Sequence, residues 1–524
     1  MAKLGELVVL VVLRLGAEVD RDLRDAALEP PPLRLERECP CVARRQGVLD
    51  RIDARGVLAE RRRIEEGSDL VLDHGGGGLR PSDQYRASKT QCTWAARTIF
   101  PPVGAYVFDA VGSVSKNGFR LSRRLLAAVF ALVALVAPAA TSAGRTQDGA
   151  LQLRLARALK VPHVAPARSG AVALDLTTGT VLFAQNGGRS LAPASNEKLP
   201  LTYAALTKLG PSFRIDTDVL GTGGQDGTVW DGALILKGNG DPTLSRADLR
   251  ALAAQVKAAG VRSVKGGVIG DETAFDTRRI VAGWKPSFFI DESPPLSALV
   301  VDRARVGRIV TSTPALAAAT AFRDALRKAG IAVAGPVRVG QVDDWSEPLA
   351  TVSSPTLATM VRFMDRESDN FTAEMLLKQL GLNELYRGTS AAGAAVVTQT
   401  LTAAGVPMAG VRIVDGSGLS RLDRLTANAL GGMLKVAWAD PIVRPVLLAA
   451  LPVAGVNGTL QDRLRKPPAR GRVLAKTGTT DDASALSGYV SDTYAFAVVQ
   501  NGHPLSYWWA RRAQDRFAQV LAAQ

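Results

Sequence analysis

Two stretches near opposite ends of this chain ask for each other. Residues 171–176 and 180–184 are apolar runs separated by Thr177-Thr178-Gly179, the pattern of two strands joined by a glycine turn. A helical pattern with Leu199, Tyr203 and Leu206 on one face follows directly. At the far end, residues 485–490 and 494–500 read as strands and 507–522 as a closing helix. Strands and a helix at both ends are accommodated by one sheet built from both ends and split by an insertion. This assigns residues 150–212 and 355–524 to one domain of α+β or α/β class and residues 213–354 to inserted, β-rich material. Within the insertion, short strands alternate with Gly/Asp turns such as Gly238-Asn239-Gly240-Asp241-Pro242, and Asp241 and Asp271 read as turn residues. After residue 355 the chain is mainly helical, with a strand expected at 411–414 before the loop Asp415-Gly416-Ser417-Gly418-Leu419.

The chain upstream is of another kind. Residues 1–119 lack sustained periodicity and contain a glycine run from Gly75 to Gly78. They read as disordered, or as translated sequence upstream of the true start. Residues 120–143 join basic Arg120, Arg123 and Arg124 to an apolar run and a small-residue tail ending in Ala143. That is a secretory signal or, in the alternative, a membrane anchor, and either places the chain beyond Ala143 outside the cytoplasmic membrane. The net charge of +15 suits a nucleic acid, an anionic membrane face or an anionic wall polymer. The excess is spread along the chain, aromatics make up only 5%, and no nucleic-acid motif is present, so a nucleic-acid partner is not expected.

The scarce residue types limit the chemistry. All three cysteines, Cys39, Cys41 and Cys92, precede residue 120, so the main body has neither a disulfide nor a thiol nucleophile. No metal site or other cofactor is implied. The three histidines, His74, His163 and His503, lie in no motif context, so a serine enzyme here would need another base. Ser195 and Lys198 supply one: three residues apart at a helix start, they share a face. A lysine kept neutral by burial or by neighbouring positive charge can take the hydroxyl proton that makes serine a nucleophile. The same spacing recurs at Ser113 and Lys116, but in a polar stretch without helical pattern.

Two further motifs stand later in the chain, Ser368-x-Asn370 and Lys476-Thr477-Gly478, completing the ordered set found in serine enzymes that penicillin acylates. Their chemistry is complementary. Ser368 can relay a proton to a leaving amine, and Asn370 can hold Lys198 and a substrate amide. Lys476 adds positive charge that depresses the Lys198 pKa and attracts a carboxylate. Thr477 and Thr479 offer hydroxyls to that carboxylate, Gly478 allows close backbone approach, and the backbone N–H groups of Ser195 and Thr479 would form an oxyanion hole.

With these motifs in order, the sequence resembles the D-alanyl-D-alanine carboxypeptidase/endopeptidase family of low-molecular-mass penicillin-binding proteins, class C type. Asp175-Leu176-Thr177-Thr178-Gly179, Gly238-Asn239-Gly240-Asp241-Pro242-Thr243-Leu244, Asp415 to Arg421 and Gly458-Thr459-Leu460 carry the likeness further, from about residue 171 to 521. The long gap between Lys198 and Ser368 favours the type with inserted domains. The resemblance implies a transpeptidase-like domain, an antiparallel sheet flanked by helices plus a helical subdomain, interrupted by the insertion. It also implies an exported hydrolase of peptidoglycan stem peptides, acylated by β-lactams, with membrane or wall association. One departure stands out: Thr480-Asp481-Asp482 occupies the place where Leu-Thr-Gly is expected. A serine β-lactamase and a catalytically weak peptidoglycan-binding protein are the alternatives.

Overall fold

The computed structural model describes residues 138–341 and 348–524. Residues 1–119, most of 120–143 and the Ser113–Lys116 pair therefore lie outside the described residues. Among those described, no helix is long and apolar enough to cross a membrane.

The central sheet has five strands: β1 (Ser169–Asp175), β2 (Val181–Gln185), β3 (Val473–Thr480), β4 (Ala483–Val490) and β5 (Tyr494–Asn501). Their order is β3-β4-β5-β1-β2, and every pair is antiparallel. β1 lies against β5 along its whole length, from Ser169 opposite Gln500 to Asp175 opposite Tyr494. Thus the two ends of the described chain meet in the middle of the sheet.

Both sheet faces are covered, which is why β4 and β5 are near-continuous apolar runs without polar alternation. Side chains still alternate, with period two. Val172, Leu174, Ala495, Ala497 and Val499 face one core. Ala171, Ala173, Phe496 and Val498 face the other, which α1 (Pro138–Leu159) and α8 (Tyr507–Ala522) complete through Leu155, Phe517 and Leu521. On the first face lies α2 (Lys198–Leu209), buried from Lys198 through Leu206. Around it pack α3 (Leu357–Glu367), α4 (Asn370–Leu385), α5 (Ser390–Ala403), α6 (Ala427–Ala439) and α7 (Val443–Ala450). A helix wrapped on all sides needs no amphipathic stripe, and α2 and α4 have none.

Between the halves, strand Asp216–Gly221 pairs with Ala350–Ser353, so the chain leaves and returns side by side. The material between them is more helical in its logic than its short strands suggest. Leu234–Gly238 and Val268–Asp271 run parallel, as do Val268–Asp271 and Val337–Val339. Parallel neighbours require crossovers; helices Arg246–Ala258 and Pro314–Lys328 supply them and build a separate core around Leu252, Val256 and Phe322. The expected strand at 411–414 is absent. At 411–414 the reason is local: the Val414 N–H donates to Asp423 Oδ1 at 2.7 Å, and Arg412 makes only one bridge, to Arg424.

Candidate active site

Ser195 is half-buried, and its turn packs against the edge strand β3. It lies in a 3₁₀ turn, Ala194–Glu197, and the α-helix begins only at Lys198. The residue before it, Ala194, has φ +47°, a left-handed conformation that costs a non-glycine residue energy and is kept only where the surroundings enforce it. Those surroundings are close. Asn196 Nδ2 donates to the Lys476 carbonyl of β3 at 3.0 Å. A Cβ on Gly478 would meet the Pro193 oxygen at 2.8 Å and the Ser195 nitrogen at 3.2 Å, and one on Gly418 the Ala194 oxygen at 1.9 Å. Gly478 is therefore required by the nucleophile's own turn as well as by any substrate.

Lys198 is fully buried, and its Nζ has three oxygens within reach: Ser195 Oγ at 3.1 Å, Asn370 Oδ1 at 2.8 Å and the Ser417 carbonyl at 2.8 Å. The last two can only accept. A neutral amine that donates to both has its lone pair left for the Ser195 hydroxyl proton. Burial pushes the Lys198 pKa down to about 8, against the upward pull of Asp415 and, more weakly, Asp369, Glu374 and Asp365.

Ser368 ends α3 in the left-handed conformation, φ +61°, and its Oγ accepts from Lys476 Nζ at 2.8 Å. Lys476 is also fully buried and donates to the Thr477 carbonyl at 2.9 Å. Burial, then repulsion from the Lys198 ammonium, lowers its pKa to about 7. The repulsion expected at Lys198 is thus felt at Lys476. Asn370 opens α4, and its amide N–H group donates to the Glu292 carbonyl at 3.2 Å and carboxylate at 3.3 Å. Thr477 Oγ1 donates to Thr459 Oγ1 at 2.7 Å, and Thr479 Oγ1 to the Gly478 carbonyl at 2.8 Å. The structure brings the three motifs together in two hydrogen-bonded groups, Lys198 with Ser195 and Asn370, and Lys476 with Ser368.

Several residues that sequence reasoning passed over also build the site. Arg303, from the chain between the two halves, forks onto Asp369 at 2.7 and 3.2 Å and so fixes the turn between Ser368 and Asn370. Trp284 donates its Nε1–H to Asp415 Oδ2 at 2.8 Å. Asp415 also accepts from the Gly418 and Ser420 N–H groups, both at 2.7 Å, so the loop read as a turn is one, held by its own first carboxylate. A lone Arg or Trp without a motif, as at Arg303 and Trp284, gave no signal. The unexpected acids are partnered: Asp481 with Lys285, and Asp482 with His503 Nδ1 at 2.6 Å and Arg421 at 3.1 Å. The His503 hydrogen bond, with Arg421, holds the Asp482 pKa down. These groups rim a cavity of about 530 Å³ next to Ala194 and Gly418, lined also by Arg168, Arg189 and Arg424.

A buried serine–lysine pair, a second serine–lysine pair and an edge strand beside them define a serine acyl-transferring hydrolase. A family model for the D-Ala-D-Ala carboxypeptidase 3 (S13) family matches residues 151–312 and 306–524. The D-alanyl-D-alanine carboxypeptidase of Actinomadura sp. (strain R39) is 35% identical over 434 residues, covering 66% of this chain and 80% of that one. Carboxypeptidase DacB of Mycolicibacterium smegmatis is 32% identical over 378 residues, 66% of this chain and 78% of that one. In fold, penicillin binding protein 4 from Haemophilus influenzae superposes with a TM-score of 0.63 at 23% identity, over 70% of this chain and 97% of that one. The chain belongs to the D-Ala-D-Ala carboxypeptidase 3 (S13) family, and it is a peptidase.

Proposed function

We propose that the protein hydrolyses D-Ala-D-Ala termini of peptidoglycan stem peptides through an acyl-enzyme on Ser195. The observation that carries this reading is the Lys198 amine, whose two N–H acceptors leave its lone pair on the Ser195 hydroxyl. Lys198 takes that proton as Ser195 Oγ attacks the carbonyl of the penultimate D-Ala. The carbonyl oxygen becomes an oxyanion held by the backbone N–H groups of Ser195 and Thr479. The C–N bond then breaks. The leaving D-Ala amine receives a proton through Ser368, which Lys476 resupplies. Water then attacks the ester, giving its proton through Ser368 to the neutral Lys476, and as the ester C–O bond breaks Lys198 returns its proton to Ser195 Oγ, which restores both lysines. Lys476, Thr477 and Thr479 receive the substrate's terminal carboxylate, and Gly478 keeps β3 close. Asn370 holds Lys198, and the substrate amide exchanges for Glu292 at its N–H group.

In this reading residues 150–212 and 355–524 form the acylated domain and 213–354 the insertion. β-Lactams, whose amide lies where the D-Ala-D-Ala bond would, acylate the same serine. Cleavage of cross-linked stem peptides uses the same steps with a larger leaving group. The substrate places the enzyme outside the cytoplasmic membrane, in the periplasm or at the wall.

Mass spectrometry after exposure to labelled penicillin tests the assignment. We expect one adduct, on the peptide containing Ser195, and none in Ser195→Ala with its fold intact. An adduct on Ser368, or one that survives in Ser195→Ala, overturns it.

A further inference from the structure

We infer that Glu374 is a positioning residue for the base: its carboxyl fixes the Gly416–Ser417 peptide and, through the Ser417 carbonyl, decides where the Lys198 lone pair points. Lys198 can aim at Ser195 only if both of its other acceptors are fixed. Asn370 Oδ1 stands on the first turn of α4. The Ser417 carbonyl stands on a loop. Glu374, one turn along α4 from Asn370 and on the same face, accepts from the Gly416 N–H at 3.1 Å and the Ser417 N–H at 2.9 Å, both through Oε1. A single helix thus supplies both constraints, one directly and one through the loop. The loop has no slack: a Cβ on Gly416 would meet the Ala373 carbonyl at 2.8 Å.

Glu374 is fully buried, and its Oε2 has no hydrogen-bond partner. Around it stand Lys198 from α2, Glu197 from the turn before it, Asp415 from the loop, and Lys378 on its own helix. Burial first, then Asp415, raises the Glu374 pKa to about 8, so the carboxyl carries a proton at neutral pH. What the site needs from Glu374 is then an acceptor, and a glutamine carboxamide provides the same one.

The inference rests on the Ser195–Lys198 reading, which the adduct in the wild-type protein tests separately. The experiment measures the second-order acylation rate against pH, per active site titrated, together with thermal unfolding, for Glu374→Gln and Glu374→Ala. We expect Glu374→Gln to keep the wild-type rate within a few-fold. Glu374→Ala should lose about a hundred-fold of its plateau rate, as misplaced catalytic groups do. Its acid limb should also move to lower pH, because the Lys198 ammonium loses an acceptor. Glu374→Leu, which fills the space without an acceptor, carries the same expectation if the alanine variant does not fold. A folded Glu374→Ala that reacts at the wild-type rate overturns the inference. So does a Glu374→Gln that falls as far as Glu374→Ala, since charge would then matter and not the acceptor.

Discussion

The site holds two lysine–serine pairs built from the same parts to different ends. In each, a fully buried lysine reaches a serine hydroxyl, Lys198 to Ser195 at 3.1 Å and Lys476 to Ser368 at 2.8 Å. Burial pushes both amines below their ordinary value, to about 8 and about 7. The surroundings differ. Lys198 has two carbonyl-type acceptors besides its serine and a bed of buried carboxyl groups, Asp415 foremost, beneath it. Lys476 has one, the Thr477 carbonyl, and the acid that acts on it, Asp365, accepts from Thr202 Oγ1 at 2.7 Å. The first amine is thereby aimed; the second keeps a hydrogen-bond direction for a substrate. In such a site, how completely the neighbours saturate a lysine separates a base from a charge.

That contrast is most exposed at Lys198. Arginine keeps the charge but cannot give up its proton. Lys198→Arg should therefore lose acylation by at least about 10³-fold, within the range for removal of a general base. A second-order rate constant within about tenfold of wild type would place the base elsewhere.

The next effect concerns the strand that brings the pairs together. Gly478→Ala puts a methyl 2.8 Å from a backbone carbonyl that cannot swing aside. β3 and the nucleophile turn must separate, and Lys476 moves with β3. We expect about a hundred-fold slower acylation, with penicillin adduct still on Ser195, as for ångström-scale misplacement. Unchanged kinetics would show that the two pairs need no fixed spacing.

The sequence made the first pair legible and much of the second. Ser195, Lys198, Ser368, Asn370 and Lys476 each stand in a short local pattern, and local patterns survive without a structure. The closing sheet was equally readable, because β4 and β5 must be apolar on both faces. What escaped was set by tertiary contact. Glu374 and Ser417 meet across a loop and a helix with nothing in either segment to announce it. Residues 411–414 look like a strand because Val411, Ile413 and Val414 are β-branched. The Val414 N–H goes instead to an aspartate side chain further along the same loop, and a side-chain acceptor leaves no trace in periodicity.

A gentler change tests the second pair. Lys476→Arg preserves the charge that its role requires and should lose about tenfold, roughly 1.4 kcal/mol for one misfitted charged contact. Lys476→Gln removes the charge and sharpens the point. Lys476 titrates first, at about 7, and has lost its proton when Lys198, at about 8, gives up its own. Acylation needs the neutral Lys198 amine, so the acid limb of the rate profile should stay in place while the rate falls. A limb that moves to higher pH would mean that the Lys476 ammonium depresses Lys198 as well.

The smallest expected effect belongs to His503, on the rim of the cavity. His503 is 80% exposed at its side chain and pairs with Asp482 on the rim of the cavity. Asp482 keeps Arg421 as a second partner, so losing the ring does not leave it unpaired. An exposed pair of this kind contributes little, and neither Lys198 nor Lys476 has His503 among its influences. His503→Ala should therefore react within about twofold of wild type, since an exposed pair carries only about 0–1 kcal/mol. The shape of its pH profile should not change. That last measurement discriminates more finely than the rate. A histidine acting as base would impose its own limb on the profile, and the variant would erase it. If the limb disappears in His503→Ala while Lys198→Arg still acylates, neither lysine is the base, and the contrast between the two pairs loses its meaning.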